Sequence, residues 1–261
     1  MTTWCLIPSI LLYSLASFFY LLSPFVRQSR IEELGFFATL FGCFLQIVYL
    51  GYFYFYTRGF PFIQDPRDML GFVSLGLILL FLWLVWRRQW QNLGSFFVPL
   101  AFILFLFSLG PSQHPYYLFQ ANRHVWLILS HILFASLSFI LMAGVFVLGI
   151  AFLIHEKRLK EKKWDALALN LPPLLLNEKS ALNWLRLGFI FLTIVLITGS
   201  MLMGRVRISF PWGVLHVLLA MTAWAIYAIV MQRRWMGANG RKILLLSMLG
   251  FVTLISSFLW S

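Results

Sequence analysis

The chain has few acidic residues, and none of them lies inside a long apolar run. It contains only eight Asp and Glu residues against 20 Lys and Arg, and the acidic residues all fall in the short stretches between apolar segments. Charged residues make up 11% of the sequence, whereas a soluble domain carries about a quarter. Proton and cation pathways through membranes usually depend on buried Asp or Glu, so an ion-coupled transporter is disfavoured.

Cysteine is equally scarce. The two cysteines, Cys5 and Cys43, form neither a C-x-x-C pair nor a C-x-x-C-H haem-attachment motif. Thiol–disulfide exchange is therefore disfavoured, and Cys43 is interpreted as a small buried apolar residue. The first residues, Met1 to Thr3, lack a basic region, so we expect no cleaved signal peptide.

Long apolar segments fill the sequence between these charged stretches, and most of them can cross a hydrocarbon core of roughly 30 Å. The sequence therefore predicts an all-α fold, a polytopic transmembrane helical bundle of about eight spans. We expect a single integral membrane domain over residues 1–261, because little of the chain remains for a soluble one. The predicted spans are Trp4–Val26, Leu34–Tyr56, Met69–Trp86, Ser95–Leu109, Trp126–Ile154, Leu185–Met203, Phe210–Met231 and Ile243–Trp260.

The basic residues are divided unevenly between alternate loops. Fifteen of the 20 lie on one side, which includes Lys157–Lys163, and five lie on the other. By the positive-inside rule the richer side is cytoplasmic, and an even number of spans then leaves both termini outside. This rule also accounts for the net charge of +12, so we expect a bilayer and not nucleic acid as the partner. The bacterial inner membrane is the predicted location.

One connection is long and basic. Residues 155–184 are predicted to form a cytoplasmic linker that begins with a run of lysines and arginines and continues to Pro172 and Pro173. The run is expected to extend the fifth helix before the two prolines stop it. It is interpreted either as a solvated anchor at the anionic inner leaflet or as a surface for a partner protein.

Histidines are the only ionisable groups that enter the apolar segments away from the inner face. His131 lies five residues into the fifth predicted span and His216 six residues into the seventh, roughly 8–9 Å below the outer boundary. Two imidazoles at equal depth on different helices suit the two axial positions of haem iron. The alternative is that each histidine only donates a hydrogen bond to a neighbouring helix. His114 and His124 are interpreted as solvated loop residues, and His155 lies at the opposite face.

Arginine is the usual partner of carboxylates such as the two haem propionates. The predicted outer side carries arginines but only two acidic residues, Asp65 and Asp68. The outer arginines predicted to bind the propionates are Arg58, Arg123, Arg205 and Arg207. Arg205 and Arg207 can instead be interpreted as side chains that extend to the interface from a helix end.

From about residue 50 onward the chain resembles the cytochrome c assembly family of membrane proteins. The segment RGFP at 58–61, followed by Asp68 and the third span, resembles the family's G-x-F-P loop. The helix HILFASLSFILMAGVF, which begins at His131, resembles the family's H-x-x-x-x-x-x-S-Y helix, with Phe139 in place of the Tyr. The other similar segments are HEKRLKEKK with LPPL, LTIVLITGSMLMG and AWAIYAIVMQRRW.

The chain also departs from the full-size haem-handling members of this family. Their tryptophan-rich outer loop is absent, because only about six residues, Arg205 to Phe210, separate the sixth and seventh spans. His216 stands where a Lys of that loop is expected, and Gln232 stands where an inner haem-ligand His is expected. Of the family's ligand positions only His131 carries over. The chain is thus most similar to the short YpjD-like and HemX-like members.

The resemblance implies a role in haem handling or cytochrome assembly. We expect an accessory protein, not an enzyme, that binds or presents haem near the outer (periplasmic) face, with His131 and His216 as candidate iron ligands. Its expected partners are haem, the bilayer and other cytochrome assembly or haem-biosynthesis proteins. The alternative is a membrane scaffold or regulator that binds no haem and contacts a haem-biosynthesis enzyme through the cytoplasmic linker.

Overall fold

The chain folds entirely into helices over the part that the structure describes. The computed structural model describes residues 2–23, 29–52, 66–86, 93–110, 125–162, 173–203, 212–237 and 240–259. These contain eight helices: α1 Thr2–Leu22, α2 Ser29–Tyr52, α3 Pro66–Trp86, α4 Gly94–Ser108, α5 Val125–Lys160, α6 Leu174–Met203, α7 Trp212–Trp235 and α8 Gly240–Leu259. The predicted all-α transmembrane fold is confirmed.

The helices differ in their ability to cross a bilayer alone. Seven of those in the described ranges are long and apolar enough to do so. Helix α4 has 15 residues and is about 22 Å long at 1.5 Å per residue. It is therefore shorter than a hydrocarbon core of roughly 30 Å, although its position agrees with the fourth predicted span.

Most of the predicted linker is helical. Helix α5 continues to Lys160, stabilised by bonds one turn apart such as that from Lys160 Nζ to Glu156 Oε1 at 2.6 Å. Helix α6 begins at Leu174, directly after Pro173 and about three turns before the predicted start of its span at Leu185. The early start has a physical reason, since Pro173 precedes the helix and leaves its backbone hydrogen bonds intact. Residues 163–172 lie outside the described part.

Two compact units make up the chain. Unit 1 comprises Met1–Pro115 and Ile154–Pro173, and unit 2 comprises Tyr116–Leu153 and Leu174–Ser261. The expectation of one integral membrane domain stays a prediction, and each unit is described by itself.

Unit 1 is held together by hydrogen bonds between buried polar side chains. Tyr13 Oη on α1 donates to Gln46 Oε1 on α2 at 2.7 Å, and Gln46 Nε2 donates to the carbonyl of Gly71 on α3 at 3.2 Å. Ser74 on α3 donates to the carbonyl of Ala101 on α4 at 2.8 Å. These bonds join the four helices in sequence, as polar side chains do inside membranes.

Unit 2 is formed by α6, α7, α8 and most of α5. Ser138 Oγ on α5 donates to the carbonyl of Gly188 on α6 at 3.0 Å. Trp224 Nε1 on α7 donates to Thr193 Oγ1 on α6 at 3.0 Å. The ring of Phe251 on α8 packs against the ring of Phe139 on α5, with 5.3 Å between their centroids. None of the Asp, Glu, Lys or Arg side chains that the structure describes is buried in either unit.

Candidate functional site

The structure describes only two of the predicted site residues. His131 and His216 both lie in unit 2. The four arginines predicted to bind propionates (Arg58, Arg123, Arg205 and Arg207) lie outside the described residues, so their role stays a prediction. The loop histidines His114 and His124 also lie outside them.

The two histidines come together at one end of unit 2. His131 lies in the second turn of α5 and His216 in the second turn of α7. Their hydrogen bonds lead to Thr198 near the end of α6 and to Ser257 near the end of α8. This end is therefore the one at which α5 and α7 begin and α6 and α8 finish. There both histidines are half-buried.

A threonine determines the tautomer of His131. Its Nδ1 lies 2.9 Å from Thr198 Oγ1. We assign the single proton of that hydroxyl to its own helix, where Oγ1 lies 2.9 Å from the carbonyl of Ile194 and 3.1 Å from that of Val195. The hydroxyl oxygen therefore accepts, and His131 donates from Nδ1–H. The lone pair of the neutral ring is then on Nε2.

A backbone carbonyl has the same effect on His216. The Nδ1 of His216 lies 2.8 Å from the carbonyl oxygen of Ser257. A carbonyl can only accept, so Nδ1 carries the proton and the lone pair of the neutral ring is on Nε2. Ser257 lies in the last turn of α8, where helix carbonyls have no partner within the helix. The end of α8 thus supplies an acceptor for the histidine.

Gly199 makes room for the ring of His131. A Cβ built on this glycine would lie 3.2 Å from His131 Cε1, closer than ordinary van der Waals contact. Small residues in membrane helices, such as those between Thr198 and Gly204, commonly allow close packing of helices. In the structure Gly199 faces a histidine side chain from α5, while Gly204 lies outside the described residues.

The two histidines have similar surroundings. The Nδ1 of each imidazole contacts an oxygen of another helix, and metal-binding histidines usually have such a second contact. One turn from His131, the ring of Phe134 packs against Phe191 of α6 at 5.8 Å, so the site borders on apolar surface. Groups of three or more metal-ligating side chains are absent from the described residues.

The comparison with known protein families agrees with these observations. The family described as Cytochrome C assembly protein matches residues 66–261. This match covers most of the chain, and the protein therefore belongs to the cytochrome c assembly family, as its motifs indicated. No curated protein and no solved structure matches it significantly.

The family region begins with the first residue of α3 and contains both histidines. Helices α1 and α2, with the buried Tyr13 and Gln46, precede it. Gln232, at the position of the family's inner ligand histidine, is an exposed side chain near the end of α7. Membership indicates a haem-related role in cytochrome c maturation for this multi-pass membrane protein.

Proposed function

We propose that the protein is an accessory factor of cytochrome c assembly that binds haem at the His131–His216 end of unit 2 and presents it to partner proteins. The observation that supports this most is the matching state of the two histidines. Both donate from Nδ1, and both have their lone pair on Nε2, the atom that would bind iron. A histidine that served only to join helices would not require a partner of the same tautomer beside it.

Each residue has a separate task in this proposal. His131 is the first ligand, because it is also the position that corresponds to a ligand of the family. His216 completes a bis-histidine site or, if it does not bind, leaves one axial position open for a ligand from a partner. Bound haem would supply an iron centre, and the protein would hold it without catalysing a reaction.

The orientation of the protein belongs to the same proposal. With the lysine- and arginine-rich loops in the cytoplasm, the histidine end of unit 2 faces the outer side of a bacterial inner membrane. The arginines between the spans, Arg58, Arg123, Arg205 and Arg207, would then be available to the haem propionates. Delivery at this face would serve cytochromes that are assembled outside the cytoplasm.

Absorption spectra of the purified protein test the proposal. We expect a Soret band after haem is added to the wild type, and its loss in His131→Ala. The spectrum of His216→Ala distinguishes the two versions: a change from low-spin to high-spin iron supports bis-histidine ligation, and an unchanged spectrum supports a single ligand.

His155→Ala provides the control, since His155 lies near the other end of α5, about 36 Å along the helix from His131. It should bind haem like the wild type, provided that both variants remain monodisperse in detergent. If the wild type shows no Soret band at any haem concentration, the haem proposal fails. The scaffold or regulator interpretation would then replace it.

A further inference from the structure

The end of unit 2 opposite the histidines is strongly basic. Residues 233–242 include four cations and no acidic residue. We call the described residues of this region the basic end: Arg233, Arg234, Trp235, Met236, Arg241 and Lys242. Its surface combines charge with exposed apolar area, because Trp235 is 81% exposed and Met236 77% exposed.

The end of helix α7 fixes the position of this apolar pair, Trp235 and Met236. The helix ends at Trp235, and two residues later Gly237 has a φ of 76°, the left-handed conformation that glycine adopts readily after helix ends. The N–H of Gly237 donates to the carbonyl of Arg234 at 3.1 Å and closes the last turn. Trp235 and Met236 are thereby held just before the chain turns toward α8.

One glutamate joins the three helices that meet here. Glu178 on α6 lies 3.7 Å from the guanidinium of Arg234 on α7, and its carboxylate also covers Gly240, the first residue of α8. A carboxylate at a helix N-terminus is favourable. Glu178 therefore fixes the position of the basic end, while the side chains of Arg233, Arg241 and Lys242 remain exposed.

The basic run on α5 differs from this arrangement. There Lys160 lies 2.6 Å from Glu156 and Lys157 lies 3.9 Å from Glu161. Each lysine thus has an acidic neighbour one turn away on its own helix. These ion pairs offset part of the positive charge of the α5 run. In the basic end Arg234 pairs with Glu178, and Arg233, Arg241 and Lys242 are exposed.

We propose that the basic end is a binding site for anionic phospholipid, with the headgroup phosphate held by Arg233, Arg241 and Lys242. Lysine and arginine beside a membrane attract acidic headgroups. Tryptophan prefers the same interfacial depth, with its ring among the upper acyl carbons. An exposed Trp and Met at a helix end, beside three exposed cations, match a phospholipid in both charge and polarity. The site would fix this end of α6, α7 and α8 in the leaflet.

Native mass spectrometry of the intact protein in detergent tests this inference. The wild type would be titrated with phosphatidylglycerol and, separately, with phosphatidylcholine of the same acyl chains. We expect tighter binding of phosphatidylglycerol by the wild type. Each cation near an anionic surface contributes roughly five-fold in affinity, so Arg233→Gln with Lys242→Gln should lower that preference by roughly 25-fold.

The matched control removes two charges from the α5 run, as Lys157→Gln with Lys160→Gln, and should keep most of the preference. A wild type without preference for the anionic lipid would overturn the inference. So would equal losses in the two double variants, since they would show that only overall charge matters. A third variant, Trp235→Ala, keeps all the charges and should weaken the binding of both lipids. Unchanged binding of both would refute the role of the ring.

Discussion

Replacing Thr198 with valine removes the acceptor of the His131 bond while keeping a β-branched side chain of similar size. The ring would lose the oxygen that lies 2.9 Å from its Nδ1, and the Nδ1–H would have no replacement on the valine. The imidazole could then rotate or change tautomer, and Nε2 would no longer be held in one position. Haem binding should weaken for this reason, although every proposed iron ligand is still present.

The expected size of the effect follows from metal sites in general. Loss of a group that orients a ligand histidine lowers metal affinity by roughly 10- to 100-fold. This corresponds to roughly 1.4–2.8 kcal/mol of binding free energy. Thr198→Ser retains a hydroxyl that can also donate to the carbonyls of its own helix. We expect it to bind haem within about three-fold of the wild type, which is well below the effect of losing the orienting group.

The assay is a titration of each purified variant with haem, followed at the Soret band, together with a spectrum of the reduced form. Protein that elutes as one species from a sizing column would show that the variants are folded. If the valine variant bound haem with wild-type affinity and an identical spectrum, then Thr198 would not orient His131. If neither the variant nor the wild type bound haem, the fault would lie in the proposed function instead.

Three further predictions concern other parts of the molecule. Gly199→Val should reduce haem binding in the same titration more than Gly199→Ala does, because even a Cβ would lie 3.2 Å from His131; equal binding by both would contradict the packing argument. A cytoplasm-active reporter fused after Ser261 should be inactive, because the charge bias puts the C-terminus outside, and strong activity there would exclude the eight-span topology. A double-mutant cycle of Tyr13→Phe and Gln46→Leu, read by unfolding in detergent, should give a coupling energy of about 0.6 kcal/mol, the average for polar pairs in membranes. A coupling near zero would mean that the bond contributes nothing.

Several properties of the chain could be predicted from the sequence because they are local. Whether a segment crosses a bilayer depends on its own apolar length and on its ability to satisfy its own backbone hydrogen bonds as a helix. The positions of the eight helices, the scarcity of buried charge and the family motifs were therefore available without coordinates. The sequence also singled out His131 and His216 as candidates, since an ionisable side chain within an apolar segment is rarely without a role. Their role as ligands stays a prediction.

Helix boundaries were predicted less well, for a reason that is still local. The first turns of α6 carry Asn177, Glu178 and Lys179, and these polar residues resemble a loop when apolar length is the criterion. In the structure they are helical. Asn177 donates to the carbonyl of Leu148 on α5 at 3.2 Å, and Glu178 pairs with Arg234 on α7. Contacts with other helices stabilise these polar residues within a helix, although their low hydropathy predicted a loop.

The sequence by itself determined that this is a helical membrane protein of the cytochrome c assembly family with two histidines inside apolar segments. Only the tertiary structure showed which nitrogen of each ring carries the proton, because that depends on Thr198 for His131 and on a carbonyl of Ser257 for His216. Likewise only folded helices placed Tyr13 on Gln46 and Glu178 beside Gly240. Such pairings join residues on different helices, and the position of one helix against another follows from side-chain packing, which no local pattern records.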